Sequence, residues 1–267
     1  FSNNESVNTY GDARKGLVTL DNERFLRIWT EVLFSKIGIR VDSAEAALKR
    51  EVKWIPINKG GLFRKWYGNN SFVVNWKSDG KEIKDNIIKT YRGGSYTKEV
   101  RSEEKYFLPG ITWTVVSTSR TSFRRYENGF IFSNSGESVT VPNCNEDTLD
   151  YLTGLLNSKY AERTLAVLSP TMGFESGYLR KLPLIESDSL DSIVERVKHC
   201  IDGSNAEWDS FEISWDFKKH PLLRNVSTIS EAFTQWQSEC DDRFNQLKAN
   251  EEELNRIFID IYGLQDE

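Results

Sequence analysis

Five short segments rich in β-branched and aromatic residues lie between residues 54 and 142, and this spacing constrains the fold more than any other feature of the chain. Each is bounded by Gly, Asn, Asp or Ser, the residues that favour turns. The segments are Trp54–Ile57, Phe72–Trp76, Ile111–Val116, Gly129–Phe132 and Ser138–Pro142. Short strands at this density predict a largely antiparallel sheet with helical insertions.

Helical spacing dominates on both sides of this region. A short amphipathic helix is predicted from Asp21 to Leu33, and Ser43 is predicted to cap a second helix over residues 44–50. Past Pro142 apolar residues recur at helical spacing, ending in a long amphipathic helix from Ile229 to Leu247 that resumes at Leu254. The predicted class is α+β: a mostly antiparallel sheet domain flanked by helices, followed by a helical C-terminal part.

This pattern divides the chain into three parts. Residues 1–16 are polar and read as a disordered segment or linker. Residues 17–185 are predicted to form the α+β domain, and residues 186–267 the C-terminal helical region.

Composition places the 267 residues among ordinary globular proteins, with 38% hydrophobic and 28% charged residues. No apolar run is long enough to span a bilayer and no leader peptide is recognisable, so the prediction is a cytoplasmic protein without a membrane partner. The three cysteines are too few and too scattered for a disulfide framework or a metal cage. Because the chain opens with Phe1 and contains one methionine, we expect an excised piece of a longer protein.

The net charge of −5 conceals a strong asymmetry. Residues 49–125 hold 17 Lys/Arg against 7 Asp/Glu, a net charge of +10, whereas residues 186–267 hold 8 against 19, a net charge of −11. A basic block of this size is typical of a region that binds a polyanion such as nucleic acid. The alternative is a solvated surface whose field the acidic C-terminal part cancels.

No pattern for catalysis is present. The two histidines, His199 and His220, do not lie at metal-ligand spacing with other ligands. No nucleophile elbow, phosphate-binding loop or dinucleotide fingerprint occurs. We therefore predict no catalytic residues and no metal site in this chain.

Two segments carry the chemistry expected of a DNA-binding surface. Residues 53–70 interleave cations with aromatic residues around the Gly60-Gly61 turn, and residues 117–126 are dense in hydroxyl and guanidinium groups. Such groups neutralise phosphates and read base edges. The alternatives are core aromatics with cations passing beside them in the first segment, and a solvent-exposed hairpin loop in the second.

The same segments closely resemble the adenine-specific DNA methyltransferases of BREX phage-defence systems, the PglX family. The resemblance runs from about Gly16 to the end. Its motifs from Gly110–Trp113 to Lys181–Pro183 are also similar to the target-recognition regions of type IIG-like restriction-modification enzymes. The matching motifs are Lys53–Gly61, Phe63–Gly68, Val74–Trp76, Gly110–Trp113, Gly129–Phe132, Leu155–Lys159, Ser169–Thr171, Phe174–Gly177, Lys181–Pro183, Trp208–Glu212, Ser214–Phe217, His220–Leu222, Asn255–Phe258 and Ile261–Leu264.

In that family a methyltransferase domain precedes this region and carries a glycine-rich loop for S-adenosylmethionine and an Asn-Pro-Pro-Tyr type motif. This chain has no Pro-Pro pair, and Leu20 stands where the family usually has Gly. The resemblance therefore implies that residues 17–185 are a DNA target-recognition domain that chooses the methylated site. It implies no enzyme activity and no cofactor in this fragment, with S-adenosylmethionine bound by the parent protein.

The implied partners are double-stranded DNA, the parent methyltransferase domain and other BREX proteins. An alternative is a protein-interaction module that docks other defence components through its acidic helices. We predict phosphate contacts by eight cations and weaker base contacts by two asparagines and a serine. These residues are Lys59, Arg64, Lys65, Lys77, Arg92, Arg120, Arg124 and Arg125, with Asn58, Asn69 and Ser119.

Overall fold

A computed structural model describes residues 5–117, 120–169, 173–185 and 187–266. Within these ranges the helices are α1 (Val7–Tyr10), α2 (Asn22–Phe25), α3 (Ala44–Lys49), α4 (Lys77–Thr90), α5 (Glu146–Asn157), α6 (Lys159–Leu168), α7 (Ser176–Leu179), α8 (Leu190–Trp208) and α9 (Ile229–Ile261). The strands are β1 (Asp12–Arg14), β2 (Leu26–Ile28), β3 (Trp54–Asn58), β4 (Phe72–Asn75), β5 (Gly110–Trp113), β6 (Phe123–Tyr126), β7 (Ile131–Phe132) and β8 (Ser138–Thr140).

The strands form two four-stranded sheets. Sheet one has the antiparallel order β1-β8-β5-β6, and sheet two has the order β2-β4-β3-β7, in which only β3 and β7 run parallel. Each of the five predicted β-type segments contains a strand, and the predicted α+β class is confirmed.

Two apolar cores lie on these sheets. The first joins sheet one to α5, α6, α8 and the C-terminal half of α9, so that Val7, Ile111, Leu152 and Phe258 share one core. The second joins sheet two to α3 and α4, around Ile55, Val74 and Ile83. The C-terminal helices are therefore packed into the core of sheet one, not appended to it.

The N-terminal segment is folded, and the prediction of a disordered segment or linker over residues 1–16 is wrong for the part that the structure describes. Ala13 pairs with Val139 across β1 and β8, and the backbone N–H of Val7 donates to the Leu182 carbonyl at 3.0 Å. Both side chains are fully buried. Long-range strand pairing fixes this polar stretch, which local sequence cannot reveal.

The predicted helix from Asp21 to Leu33 is also wrong beyond its first turn. Asp21 does cap a helix, since its carboxylate accepts the N–H of Arg24 at 3.0 Å, but α2 ends at Phe25. The chain then enters β2, which pairs along its whole length with β4. Sheet pairing outweighs the helical spacing of the apolar residues here.

Two other helices follow the predictions more closely. The Ser43 hydroxyl accepts the N–H of Ala46 at 3.2 Å and so caps α3 as expected. Helix α9 is one continuous helix of 33 residues, with no break before Leu254.

Leu20, at the position where the resemblance implies Gly, adopts a left-handed φ of 59°, so the turn forms despite the side chain.

Candidate nucleic-acid interface

A loop of residues 59–69 leaves β3 and returns to β4, and its base is held by hydrogen bonds. Gly60 and Gly61 have φ of 82° and 144°, which other residues adopt only with strain. The Thr114 hydroxyl donates to the Gly61 carbonyl at 3.0 Å, and the Asn69 amide donates to the Leu62 carbonyl at 2.8 Å. Asn69, predicted to contact bases, therefore uses its side-chain amide in a hydrogen bond within the loop.

Arg64 and Lys65, both predicted to contact phosphate, turn toward the acidic helices. The Arg64 guanidinium donates to the Tyr67 carbonyl at 2.9 Å, lies 5.0 Å from the centre of the Trp208 ring and pairs with Glu207 of α8. Its burial lowers the pKa of Arg64. These contacts join the loop to α8.

The neighbouring ion pair joins the same loop to α9. Lys65 Nζ lies 3.0 Å from a Glu251 carboxylate oxygen, and the other oxygen accepts the indole N–H of Trp66 at 2.7 Å. Since Trp66 is almost fully buried, Glu251 satisfies a polar group that would otherwise lack a partner.

Arg124 and Arg125 lie on β6, a strand that the sequence presents as part of a loop. Arg124 is only 1% exposed and its guanidinium donates to the Arg64 carbonyl at 3.3 Å, and burial lowers its pKa to about 10. Arg125 donates to Asp150 at 3.0 Å and also pairs with Glu146 on α5. Neither side chain faces outward here, so the prediction of phosphate contact is corrected for both: sheet pairing and helix α5 enclose them.

Asn58, another predicted base contact, is not exposed either. Asn58 is buried in β3, where its carbonyl accepts the N–H of Ser133 at 3.0 Å. Ser119 lies outside the described residues. Base reading by Asn58 and Ser119 stays a prediction, and the buried position of Asn58 does not support it.

Four of the predicted cations keep access to solvent. Lys77 and Arg92 are exposed at the two ends of α4, and no described carboxylate lies within ion-pair distance of either. Arg120 is exposed with its guanidinium 3.2 Å from Glu162, and Lys59 is half-buried with its ammonium 3.4 Å from the Ser135 hydroxyl. Burial lowers the pKa of Lys59.

The eight predicted cations do not form one continuous outward face, because half of them face inward. Carboxylates hold three of these four cations, and no motif in the sequence marks those carboxylates, which are Glu207, Glu251, Asp150 and Glu146. The available signal in the sequence was the opposite net charge of residues 49–125 and residues 186–267. It pointed to a contact between these two regions as well as to an external polyanion.

A cleft of about 620 Å³ lies between the loop and the C-terminal helices. Its lining includes Phe63, Trp66 and Arg120, together with Arg243 and Phe244 of α9. The cleft combines cations, carboxylates and apolar side chains. Among the described residues no cluster of His, Cys, Asp and Glu fits a metal ion.

Other classes of site are also missing from the described part of the chain. No helix there has the length and apolarity needed to cross a bilayer. His220 accepts the N–H of Leu222 through Nδ1 at 3.3 Å and packs edge-on against Trp236, which is a structural role.

The fold is similar to part of a known restriction-modification enzyme. The structure superposes on the type IIL restriction-modification enzyme MmeI, determined in complex with DNA, with a TM-score of 0.50 and 12% sequence identity. The match covers 98% of this chain and 34% of that enzyme. No family model matches the sequence.

Sequence comparison identifies the nearer relatives. The chain is 44% identical to the adenine-specific methyltransferase PglX of Lacticaseibacillus casei (strain Zhang) and 33% identical to the adenine-specific methyltransferase BrxX of Escherichia coli O9:H4 (strain HS), in both cases over 96% of its length. It is homologous to a segment of these PglX-type enzymes, which confirms the resemblance seen in the sequence. The chain spans about a fifth of the length of these relatives.

Proposed function

We propose that this chain is the DNA sequence-recognition region of a site-specific adenine-N6 DNA methyltransferase of a BREX phage-defence system. In this role it binds duplex DNA and sets the site that is methylated. The observation that carries the proposal is its similarity, over 96% of its length, to a fifth of two adenine-specific methyltransferases. Within the described residues no catalytic arrangement competes with a binding role.

The four predicted cations that keep access to solvent define the phosphate-binding surface of the proposal. Lys59, Lys77, Arg92 and Arg120 are available to neutralise phosphates, whereas the inward-facing arginines hold the protein together. Each phosphate contact releases counterions, so affinity falls steeply as salt rises.

The methyl donor belongs to the parent protein in this proposal. A nucleotide-type cofactor site of the common kind places a glycine-rich turn between a strand and the N-terminus of a helix. Gly60 and Gly61 instead follow β3 and lead through a loop into β4, and the Gly61 carbonyl is already bonded to Thr114. These residues do not fit S-adenosylmethionine.

A salt titration of DNA binding tests the proposal. We expect the 267-residue protein to bind random-sequence duplex with a log–log slope of about −2 to −4, one unit for each phosphate contact. Labelled S-adenosylmethionine should transfer no methyl group to DNA in the same sample. Salt-independent binding, or no binding at low salt, would contradict the proposal, and methyl transfer would contradict its division of labour.

A second candidate function is docking of other BREX proteins or of the parent methyltransferase domain through the acidic helices. The observation that favours it is a row of exposed apolar residues on the N-terminal half of α9, formed by Ile229, Phe233 and Phe244. Binding assays with purified BREX proteins, run beside the DNA titration, separate the two functions. The candidates are compatible, because a DNA-reading enzyme can also belong to a complex.

A further inference from the structure

Leu62 and Phe63 form an exposed apolar pair at the tip of the loop of residues 59–69. Leu62 is 86% exposed and Phe63 is 51% exposed. The neighbouring aromatic residue Trp66 is buried, so the loop places one ring in the core and presents the pair to solvent.

The backbone beneath this pair is fixed on both sides. The carbonyls of Gly61 and Leu62 accept hydrogen bonds from Thr114 and Asn69 at 3.0 and 2.8 Å. On the return side the N–H of Arg64 donates to the Ser122 hydroxyl at 3.2 Å, and the N–H of Trp66 donates to the Phe123 carbonyl at 2.9 Å. The pair is therefore presented by a braced loop, which lowers the entropy lost when it contacts a partner.

A second exposed Leu-Phe pair offers a direct comparison. Leu33 and Phe34 are 73% and 56% exposed, but the Phe34 ring packs edge-on against Trp29 with centroids 6.2 Å apart. The nearest charged residues in sequence are Glu31 and Lys36, which cancel. The pair at 62–63 instead lies between Lys59 and the two cations Arg64 and Lys65 in the sequence, and Phe63 lines the same cleft as Arg120.

We propose that Leu62 and Phe63 are a wedge that inserts between stacked base pairs of duplex DNA. This inference rests on the proposed function and specifies how the surface contacts its ligand. Apolar wedges of Phe and Leu unstack base steps in proteins that deform DNA. Two isolated side chains match a base step better than they match a protein interface, which buries a much larger apolar area.

In this proposal Lys59 and Arg120 contact the DNA phosphates while Leu62 and Phe63 contact the bases. Lys59 has no carboxylate partner among the described residues, and Arg120 is 67% exposed on its side chain. Both positions allow them to contact phosphates that flank the inserted step. Partial unstacking next to a target adenine also lowers the energy needed to expose that base.

A mismatched duplex tests the wedge without knowledge of the recognised sequence. Two short duplexes are compared that differ only in one central mismatch, which weakens stacking at that step. Because insertion costs less there, we expect the wild-type protein to bind the mismatched duplex about tenfold more tightly than the matched one. The double variant Leu62→Ser/Phe63→Ser should bind both duplexes equally and keep the wild-type salt slope.

The matched control is Leu33→Ser/Phe34→Ser, which should keep the tenfold preference. Far-UV circular dichroism confirms that both double variants remain folded, since all four side chains are exposed. Salt-dependent binding by the wild type without a mismatch preference, or a preference that survives in the 62–63 variant, overturns the wedge alone. No duplex binding by the wild type contradicts the proposed function itself. Unchanged DNA binding with loss of wild-type self-association assigns the pair to a contact between copies and also overturns the wedge.

Discussion

The cations of the loop and β6 differ in what they face from Lys77 at the start of α4 and Arg92 just past its end. Arg64, Lys65 and Arg125 are held by carboxylates of α5, α8 and α9, whereas Lys77 and Arg92 extend into solvent. The two groups lie in the same basic block of the sequence. The difference shows that opposite net charge in two regions of a chain can form ion pairs between those regions instead of binding an external partner.

The inward-facing cations are expected to affect the stability of the fold, and the exposed cations are expected to affect DNA binding. Removal of an inward-facing cation leaves its partner uncompensated, and the cost is high where that partner is a buried carboxylate such as Asp150. An exposed cation removed from the surface leaves nothing uncompensated, and its loss is felt only by an external anion. Variants of the two kinds of cation should therefore differ in their free energy of unfolding.

The ion pair between Arg125 and Asp150 should give the largest effect. The side chains are 10% and 5% exposed, so Arg125→Ala leaves a buried carboxylate without its cation. We expect the free energy of unfolding to fall by about 3–5 kcal/mol. Chemical denaturation measures it, with Arg92→Ala as the exposed control. A cost no larger than that of the control would break the comparison.

The contacts of Glu251 should give a smaller loss. Glu251→Ala removes the acceptor of the buried Trp66 indole N–H and the partner of Lys65. We expect a loss of about 1–3 kcal/mol, the cost of one unsatisfied buried donor. Glu252→Ala is the control, because its neighbour Lys248 lies 3.9 Å away and both are exposed. Equal melting temperatures for the two variants would show that Glu251 does not join the regions.

Glu137 is a buried carboxyl group that tests the same distinction without a paired cation. It is buried with no ion-pair partner among the described residues, and burial raises its pKa above the ordinary 4.5. Just above pH 4.5 the folded protein keeps a proton that the unfolded chain loses, so stability falls as pH rises through this range. Glu137→Gln should flatten that slope in denaturation experiments at a series of pH values. A slope that persists unchanged in the variant assigns it to another group.

Lys77 and Arg92 should have the smallest effect on stability and a distinct effect on DNA binding. Each alanine variant should unfold like the wild type yet lower the salt slope of duplex binding by about 1. Lys218→Ala is the matched control, an exposed cation in the acidic part of the chain. If Lys218→Ala changes the slope as much as Lys77→Ala does, the surface is not confined to the basic block.

Local signals in the sequence predicted the elements that depend on local physics. The Ser43 cap, the β-branched segments and the long amphipathic repeat of α9 all formed, because each is stabilised by residues close in sequence. The pairings of β1 with β8 and of β2 with β4 join residues far apart in the chain. No local pattern encodes them, and two predictions were wrong for this reason.

The candidate site was predictable in composition and not in orientation. Charge counting located the basic block, but it could not tell that Arg124 and Arg125 alternate along an edge strand enclosed by a helix. The exposed pair Leu62–Phe63 was missed because apolar residues beside a glycine turn look like core residues. The exposed fractions of the two side chains in the folded structure show that the loop directs them outward.

The shared core of sheet one has a practical consequence for building chimeras with altered sequence specificity. Phe258 and Leu254 of α9 pack in one core with Val7 and Ile111, from the opposite end of the chain. A graft that ends near residue 185 would leave the acceptor with an open apolar surface. A transplant that carries both termini together keeps the module intact.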